Sequence, residues 1–331
     1  MFHVEHCSDM TQALVNTRLS GGWRDQARLP GTLGRIEPLR RRKMLVFGRG
    51  RVPSLPRPRI RFPLEALSLE SFGSVSLDEC RQLCGGREGH FLRYAIISDI
   101  HGNREALDTV LAAIEQQGCD EIVCLGDVVG YGAEPGYCLD TVRERCKVVV
   151  AGNHDHAAVG KINIDYFNPH ARQATEWTRD RLTDEQRAYL NDLPLVHDFD
   201  TFTVVHGSLD NPELFDYIQT SYDAYLTMEQ MTRPVCFIGH SHVPIAFLLR
   251  DVITYSMDPT VELEGIAKTI VNVGSVGQPR DNNPNASYAI YDEDERQVET
   301  FRIPYDIARS AEKIREAGLP EFLAERLLVG R

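Results

Sequence analysis

The chain has 331 residues, 42% hydrophobic and 25% charged, with a formal net charge of −12. Its apolar runs, such as 148–151, fall far short of the roughly 20 residues that span a bilayer, and MFHVEHCSDM lacks the basic start and apolar stretch of a secretory signal. The charge is uneven: residues 1–90 hold 15 basic and 9 acidic residues, the remainder 21 and 39, and so acidic a body argues against a nucleic-acid binder, which needs clustered Lys and Arg.

Residues 1–90 show no sustained period of 2 or 3.6, are punctuated by Gly and Pro (LPGTLG, RVPSLPRPRIRFP), and carry an isolated basic block, RRRK, at 40–43. They read as a disordered tail or as a non-native basic extension from an over-early start codon. Cys80 and Cys84 with His90 nearby give only a weak zinc signal, since no second ligand pair follows. The eight cysteines are scattered, and several lie in strand-like runs, as Cys124 does in EIVCL and Cys236 in PVCFIG. Buried reduced thiols of a cytoplasmic protein are the expectation.

At Phe91 the pattern changes. FLRYAIIS predicts a buried strand that runs into the polar turn DIHGN. Residues 104–117 place Ala106, Leu107, Val110, Leu111 and Ile114 at helical spacing, and Gly118 stops the helix. EIVCL (strand), a helix over 137–146 and KVVV (strand) follow. In the middle section Asn168 and Pro169 open one helix, and a capping box at Thr183–Gln186 opens a second. Beyond residue 200 strands dominate (TFTVVH, PVCFIG, PIAFLL, VITYS, TIVNVG, SYAIYD, QVETFRI) with few helices between them. Helices near 305–317 and 319–329 close the chain. Strands alternating with helices first and pairing with each other later predict an α/β fold of two face-to-face sheets with helices outside.

The chemistry falls at the strand ends. AIIS runs into Asp99 and His101, IVCLG into Asp127, VVVAG into Asn153, His154 and Asp155, FTVV into His206, and CFIG into His240 and His242. Sites in α/β sheets form just beyond the carboxyl ends of strands, so five such turns can converge on one cleft. Carboxylate oxygens and imidazole nitrogens suit borderline divalent metals. Asp99, His101, Asp127, Asn153, His206, His240 and His242 make seven ligands, too many for one tetrahedral ion and suited to two ions that share a carboxylate.

These blocks, DIH (99–101), GD (126–127), GNHD (152–155), HG (206–207) and GHSH (239–242), resemble the calcineurin-like metallophosphoesterase superfamily over roughly 92–291, and within it a bacterial branch related to diadenosine tetraphosphatase and small phosphodiesterases. The resemblance implies a four-layer α/β sandwich of two mixed β-sheets flanked by helices, with a metallophosphoesterase domain over 91–304 and C-terminal helices (305–331) packed on it. It implies two divalent ions, drawn from Mn, Fe, Zn or Ni. Asp99, His101 and His242 are then ligands of one, Asn153, His206 and His240 of the other, and Asp127 the bridge. The activity implied is hydrolysis of a phosphate mono- or diester of a small or nucleotide-like substrate. A metal-bridging hydroxide attacks and His154 acts as general acid, while Asp155 orients. Asn103, Arg172 and Arg280 are expected substrate contacts. A dinucleoside polyphosphate hydrolase is the nearest alternative. A Ser/Thr protein phosphatase is disfavoured because GDVVGYG (126–132) puts Gly130 and Tyr131 where those enzymes carry Asp and Arg. A non-catalytic scaffold of the same fold is disfavoured because every ligand position is filled.

Overall fold

The structure, a computed structural model, describes residues 92–331. The expectations for residues 1–90, including the Cys80/Cys84 zinc signal, lie outside the described residues.

Two six-stranded mixed sheets form the centre. The first has the order β3 (Val148–Val149), β2 (Glu121–Cys124), β1 (Arg93–Ile97), β11 (Ala286–Asp292), β12 (Gln297–Ile303) and β9 (Thr260–Glu262). The second has the order β4 (Val196–Asp198), β5 (Phe202–Val205), β6 (Val235–Ile238), β10 (Lys268–Asn272), β7 (Ile245–Leu249) and β8 (Ile253–Ser256). In the first sheet β1, β2 and β3 run parallel, and β11 pairs antiparallel with β1. In the second, β5, β6 and β10 run parallel.

Side chains alternate across each strand and so sort into layers. Tyr94 and Ile96 of β1 face the second sheet, meeting Phe202, Val204 and Phe237 in one buried cluster. Ala95 and Ile97 face outward onto α1 (Arg104–Gln117) and α2 (Pro135–Arg145), through Val110, Leu111 and Leu139. On the far side of the second sheet, Cys236, Ile238 and Phe247 pack on Ala224 and Met228 of α6 (Ser221–Gln230). Helix, sheet, sheet, helix are the four layers expected.

Between β3 and β4 lie the short helix α3 (Asn153–Ala158), α4 (Pro169–Arg179) and α5 (Asp184–Asp192). The last two start as predicted: Asn168 accepts the Ala171 amide, and Thr183 and Gln186 cap each other's main chain. The closing helices α7 (Ile307–Glu316) and α8 (Glu321–Val329) share a core with α4 and Tyr131. Helix α6 was not anticipated from its apolar spacing. Its signal is the capping box of Thr220 and Asp223, which opens a helix whose inner face is only Ala224, Thr227 and Met228.

Candidate metal centre

Six of the ten non-glycine residues with positive φ among the described residues belong to the turns that follow β1, β2 and β6: Asp99 (53°), His101 (51°), Asp127 (51°), Tyr131 (58°), His240 (67°) and His242 (61°). Such left-handed conformations cost roughly 1–3 kcal/mol each and persist where the surroundings over-determine them. Here the determinants are main-chain bonds between loops. The Asp99 amide donates to the Gly126 carbonyl (3.0 Å), that of His101 to Asp127 (2.9 Å), that of Gly239 to His206 (2.9 Å) and that of Gly277 to Asp99 (2.9 Å). The turns hold one another, and their side chains converge.

The donor atoms form two groups, Asp99, His101, Asp127 and His242, and Asp127, His206 and His240; within each, the atoms lie within 4.8 Å of one another, and all these residues are buried. Asp127 belongs to both. Its Oδ2 sits 3.6 Å from His101 Nε2 and 3.3 Å from His206 Nε2. His242 Nε2 lies 3.1 Å from Asp99 Oδ1, and His206 Nε2 lies 3.2 Å from His240 Nδ1. Two buried oxygens, Asp99 Oδ1 within the first group and Asn153 Oδ1 in the 152–155 turn, have no hydrogen-bond partner. An orphaned buried acceptor is costly, so a cation is the partner that such a donor set fits.

Outer contacts orient the ligand candidates. His101, His206 and His242 each turn Nδ1 to a main-chain carbonyl, of Val129 (3.1 Å), Leu125 (2.8 Å) and Gln278 (2.6 Å), which leaves the Nε2 lone pair facing inward. Asp99 Oδ2 accepts from Ser98 Oγ (2.7 Å) and the His240 amide (3.0 Å). Asp155 is no part of either group. Its two oxygens accept the amides of Asp127 (2.8 Å), Gly152 (3.0 Å), Val128 (3.0 Å) and Val129 (3.2 Å), tying the 126–129 loop to the 152–155 turn.

The electrostatics agree with the geometry. Burial alone would raise the carboxyls of Asp99 and Asp127, yet the facing histidines hold both below the ordinary range. Burial keeps His101, His240 and His242 below the usual imidazole value, so they are neutral and can donate a lone pair. His206 is the exception: burial would lower it, but Asp127 and Asp99 pull it up to about 9. Burial and Asp127 push Asp155 up to about 7 against the pull of its amides.

His154 lies beside the two groups, its ring 5.0 Å edge-on from His101, 4.4 Å from Tyr131 and 5.2 Å from Phe167. Burial lowers it to about 4. Arg280 reaches the same space: its charge depresses His154 and His242, its Nη2 donates to Gln278 Oε1 (2.8 Å), and its buried Nε has no partner. The other two expected substrate contacts have structural work instead. Asn103 caps α1 by accepting the Ala106 amide (3.2 Å) and the Ser310 hydroxyl (2.9 Å), and its Nδ2 donates to the Gly277 carbonyl (2.8 Å) and the Tyr305 hydroxyl (3.2 Å). No polar atom of its side chain is left for a ligand. Arg172 is half exposed and paired with Asp165 (3.4 Å) and Glu176 (3.1 Å). Asn103 and Arg172 are thus engaged within the chain, and of the three expected contacts Arg280 is the one whose charge reaches the donor groups.

Buried Asp and His donors gathered at the strand ends of a two-sheet sandwich define a metallophosphoesterase architecture. Residues 92–296 match the model of the calcineurin-like phosphoesterase superfamily domain, and the chain belongs to that superfamily, a class of metal-dependent phosphate-ester hydrolases. The chain is 38% identical over 247 residues to an uncharacterised protein of Methanocaldococcus jannaschii, covering 72% of this chain and 98% of that one. It is 26% identical over 213 residues to the phosphodiesterase YfcE of Escherichia coli, covering 61% and 89%. Among solved structures, a metallophosphoesterase from Sphaerobacter thermophilus superposes with a TM-score of 0.65 at 39% identity, over 73% of this chain and all of that one. No helix among the described residues is long and apolar enough to cross a membrane.

Proposed function

We propose that the protein is a dinuclear-metal phosphodiesterase acting on a small phosphate diester. The observation that carries this reading is the position of Asp127 Oδ2 between His101 Nε2 and His206 Nε2, at 3.6 and 3.3 Å, so that two donor groups share one carboxylate. Asp99, His101 and His242 would hold one ion, Asn153, His206 and His240 the other, and Asp127 both. When bound, such ions polarise phosphoryl oxygens and supply a water acidic enough to act as nucleophile near neutral pH. The mixed oxygen and nitrogen set suits borderline divalent ions, Mn, Fe, Zn or Ni. The diester preference rests on likeness to YfcE, which is named a phosphodiesterase.

The chain's own residues complete the chemistry. Arg280, with an unpartnered Nε, offers charge to a non-bridging phosphoryl oxygen. His154 Nδ1 is buried against Gly130, which leaves Nε2 to carry a proton to the departing oxygen. Burial holds that ring neutral near pH 7, and phosphate charge entering beside it would raise its hold on the proton to be donated. Asp155 keeps the Asp127 and Asn153 turns in register. The described cysteines are all unpaired, with burial raising their thiols, which supports a reducing, cytoplasmic setting.

The test is metal-dependent hydrolysis of bis-p-nitrophenyl phosphate and p-nitrophenyl phosphate by wild type, Asp127→Ala and His154→Ala, with metal content measured on each. Asp127→Ala should lose metal and turnover together. His154→Ala should keep its metal while turnover falls about 10²–10⁴-fold. Loss of metal from His154→Ala as complete as from Asp127→Ala would overturn this division of roles. A wild type that binds no metal would leave only the scaffold.

A further inference from the structure

We propose that Gln278 is the positioning residue that aims Arg280 at the phosphate, and that it does so through a neutral acceptor, which orients the guanidinium without cancelling its charge. The assignment rests on the reading of Arg280 as a phosphate contact and adds the residue that holds it in place.

Gln278 is buried, 2% exposed, in the loop that follows β10. Its side-chain Oε1 accepts from Arg280 Nη2 at 2.8 Å. A guanidinium can only donate, so the amide must turn its oxygen toward it. Between the two residues stands Pro279, whose ring locks φ and leaves the short span little freedom. The guanidinium also lies 5.8 Å from the centroid of the Tyr131 ring, while Arg280 Nε stays buried without a partner. The carboxylate that acts on the Arg280 charge is Asp99, already a member of the first donor group.

The main chain of Gln278 serves that donor group. Its carbonyl accepts from His242 Nδ1 (2.6 Å), and its amide donates to Ser275 Oγ (2.8 Å), a hydroxyl that itself donates to the Asp99 carbonyl (2.8 Å). The Arg280 amide donates to the His242 carbonyl (3.2 Å). One residue thus ties the histidine, through its main chain, and the arginine, through its side chain, into one frame. The two tasks separate chemically. A substitution of the side chain leaves the main-chain bonds to His242 and Ser275 in place and removes only the hold on Arg280. The type of acceptor matters as well. A carboxylate here would bind the guanidinium more tightly, but it would offset the charge that attracts a phosphate. An arginine held in advance also spares the substrate the cost of ordering a long side chain.

Hydrolysis of bis-p-nitrophenyl phosphate and metal content are measured on the metal-loaded wild type, Gln278→Met, Gln278→Glu, Arg280→Met and the double variant Gln278→Met/Arg280→Met. Gln278→Met keeps the volume and loses the acceptor. It should retain its metal and lose about tenfold in kcat/KM, mainly through KM, as expected for a hydrogen bond to a charged group. Gln278→Glu keeps shape and bond and changes only the charge, and KM should again rise about tenfold, which a packing role alone would not produce. In the Arg280→Met background, Gln278→Met should cost less than about twofold more, because the side chain it positions is gone. Gln278→Leu, which also lacks the acceptor, replaces the methionine variant should the latter be unfolded. Equal losses in the two backgrounds would make Gln278 act independently of Arg280 and overturn the assignment. So would a wild-type KM in either Gln278 variant, or loss of metal from Gln278→Met. A wild-type KM in Arg280→Met removes the phosphate contact and the positioning role with it, and a wild type inert on the diester overturns the underlying phosphodiesterase reading.

Discussion

Gly152 contributes no ligand atom, yet it is where a single methyl group should do most damage to the metal centre. A Cβ at this position would stand 2.1 Å from Asp127 Oδ1 and 2.4 Å from the Asp127 amide nitrogen. Reaching an ordinary contact of 3.4 Å requires a displacement of about 1.3 Å, and one of the two atoms is main chain held by Asp155. The backbone of Gly152 is extended (φ −96°), so alanine adds no conformational strain of its own and the effect is steric alone. Asp127 is the carboxylate common to both donor groups, and a misplacement of about 1 Å in such a site costs on the order of 10²-fold in rate. Gly152→Ala should therefore lose at least that factor in turnover of bis-p-nitrophenyl phosphate and lose metal from both positions. Gly118→Ala is the matched control: the α1 cap has φ +66° and nothing within 4 Å, so alanine there costs about 1 kcal/mol of stability and leaves metal content alone. Metal content by inductively coupled plasma mass spectrometry and initial rates suffice. Full metal loading with more than about a tenth of wild-type turnover in Gly152→Ala would refute the shared role given to Asp127.

Asp155→Asn should turn an amide NH₂ toward two of the four main-chain donors, costing about 3 kcal/mol, or roughly 10 °C in the melting temperature of a domain of this size; a shift under about 2 °C would show that the clamp is dispensable. The protein freed of metal by chelator should lose stability as pH rises from 7 to 9. The His206 pKa is raised to about 9, so its contribution is complete below the ordinary 6.5 and disappears through 9, a loss of about 3 kcal/mol. Asp155, raised to about 7, titrates in the lower half of that window with the same sign, so the His206 share is read between pH 8 and 9, and a flat chemical-denaturation profile there would contradict the placement of His206 between Asp127 and Asp99. Arg280→Lys keeps the charge but not the planar fork, and should raise KM for bis-p-nitrophenyl phosphate about tenfold; an unchanged KM would remove Arg280 from phosphate binding.

Much of the candidate centre is legible along the chain because its donor residues are local signals. Each follows a strand within four residues, and Asp99 with His101, Asn153 with His154, and His240 with His242 arrive as short motifs. A strand that must be buried delivers whatever follows it to the sheet end, so residue type and position together carry the chemistry. The helix starts at Asn168 and Thr183 are legible for the same reason, since a cap acts within three residues. Helix α6 escaped because its buried face has three small or slender residues and its cap uses Asp where Glu or Gln is the stronger signal.

What the chain order does not contain is which loops share a space. Asn103, two residues from His101, looks equally fit to hold substrate or to cap α1, and it is Ser310, Tyr305 and Gly277, between 174 and 207 residues away, that commit it to structure. Arg172 and Arg280 are alike as sequence, and only the packing sends one to surface ion pairs and the other against the donor groups. The sharing of Asp127 between two groups and the stacking of Tyr217 on His240 likewise arise between segments that meet only when both sheets are assembled. Periodicity reports which face a residue turns inward. Long-range loop contacts, which no local pattern encodes, decide what it meets there.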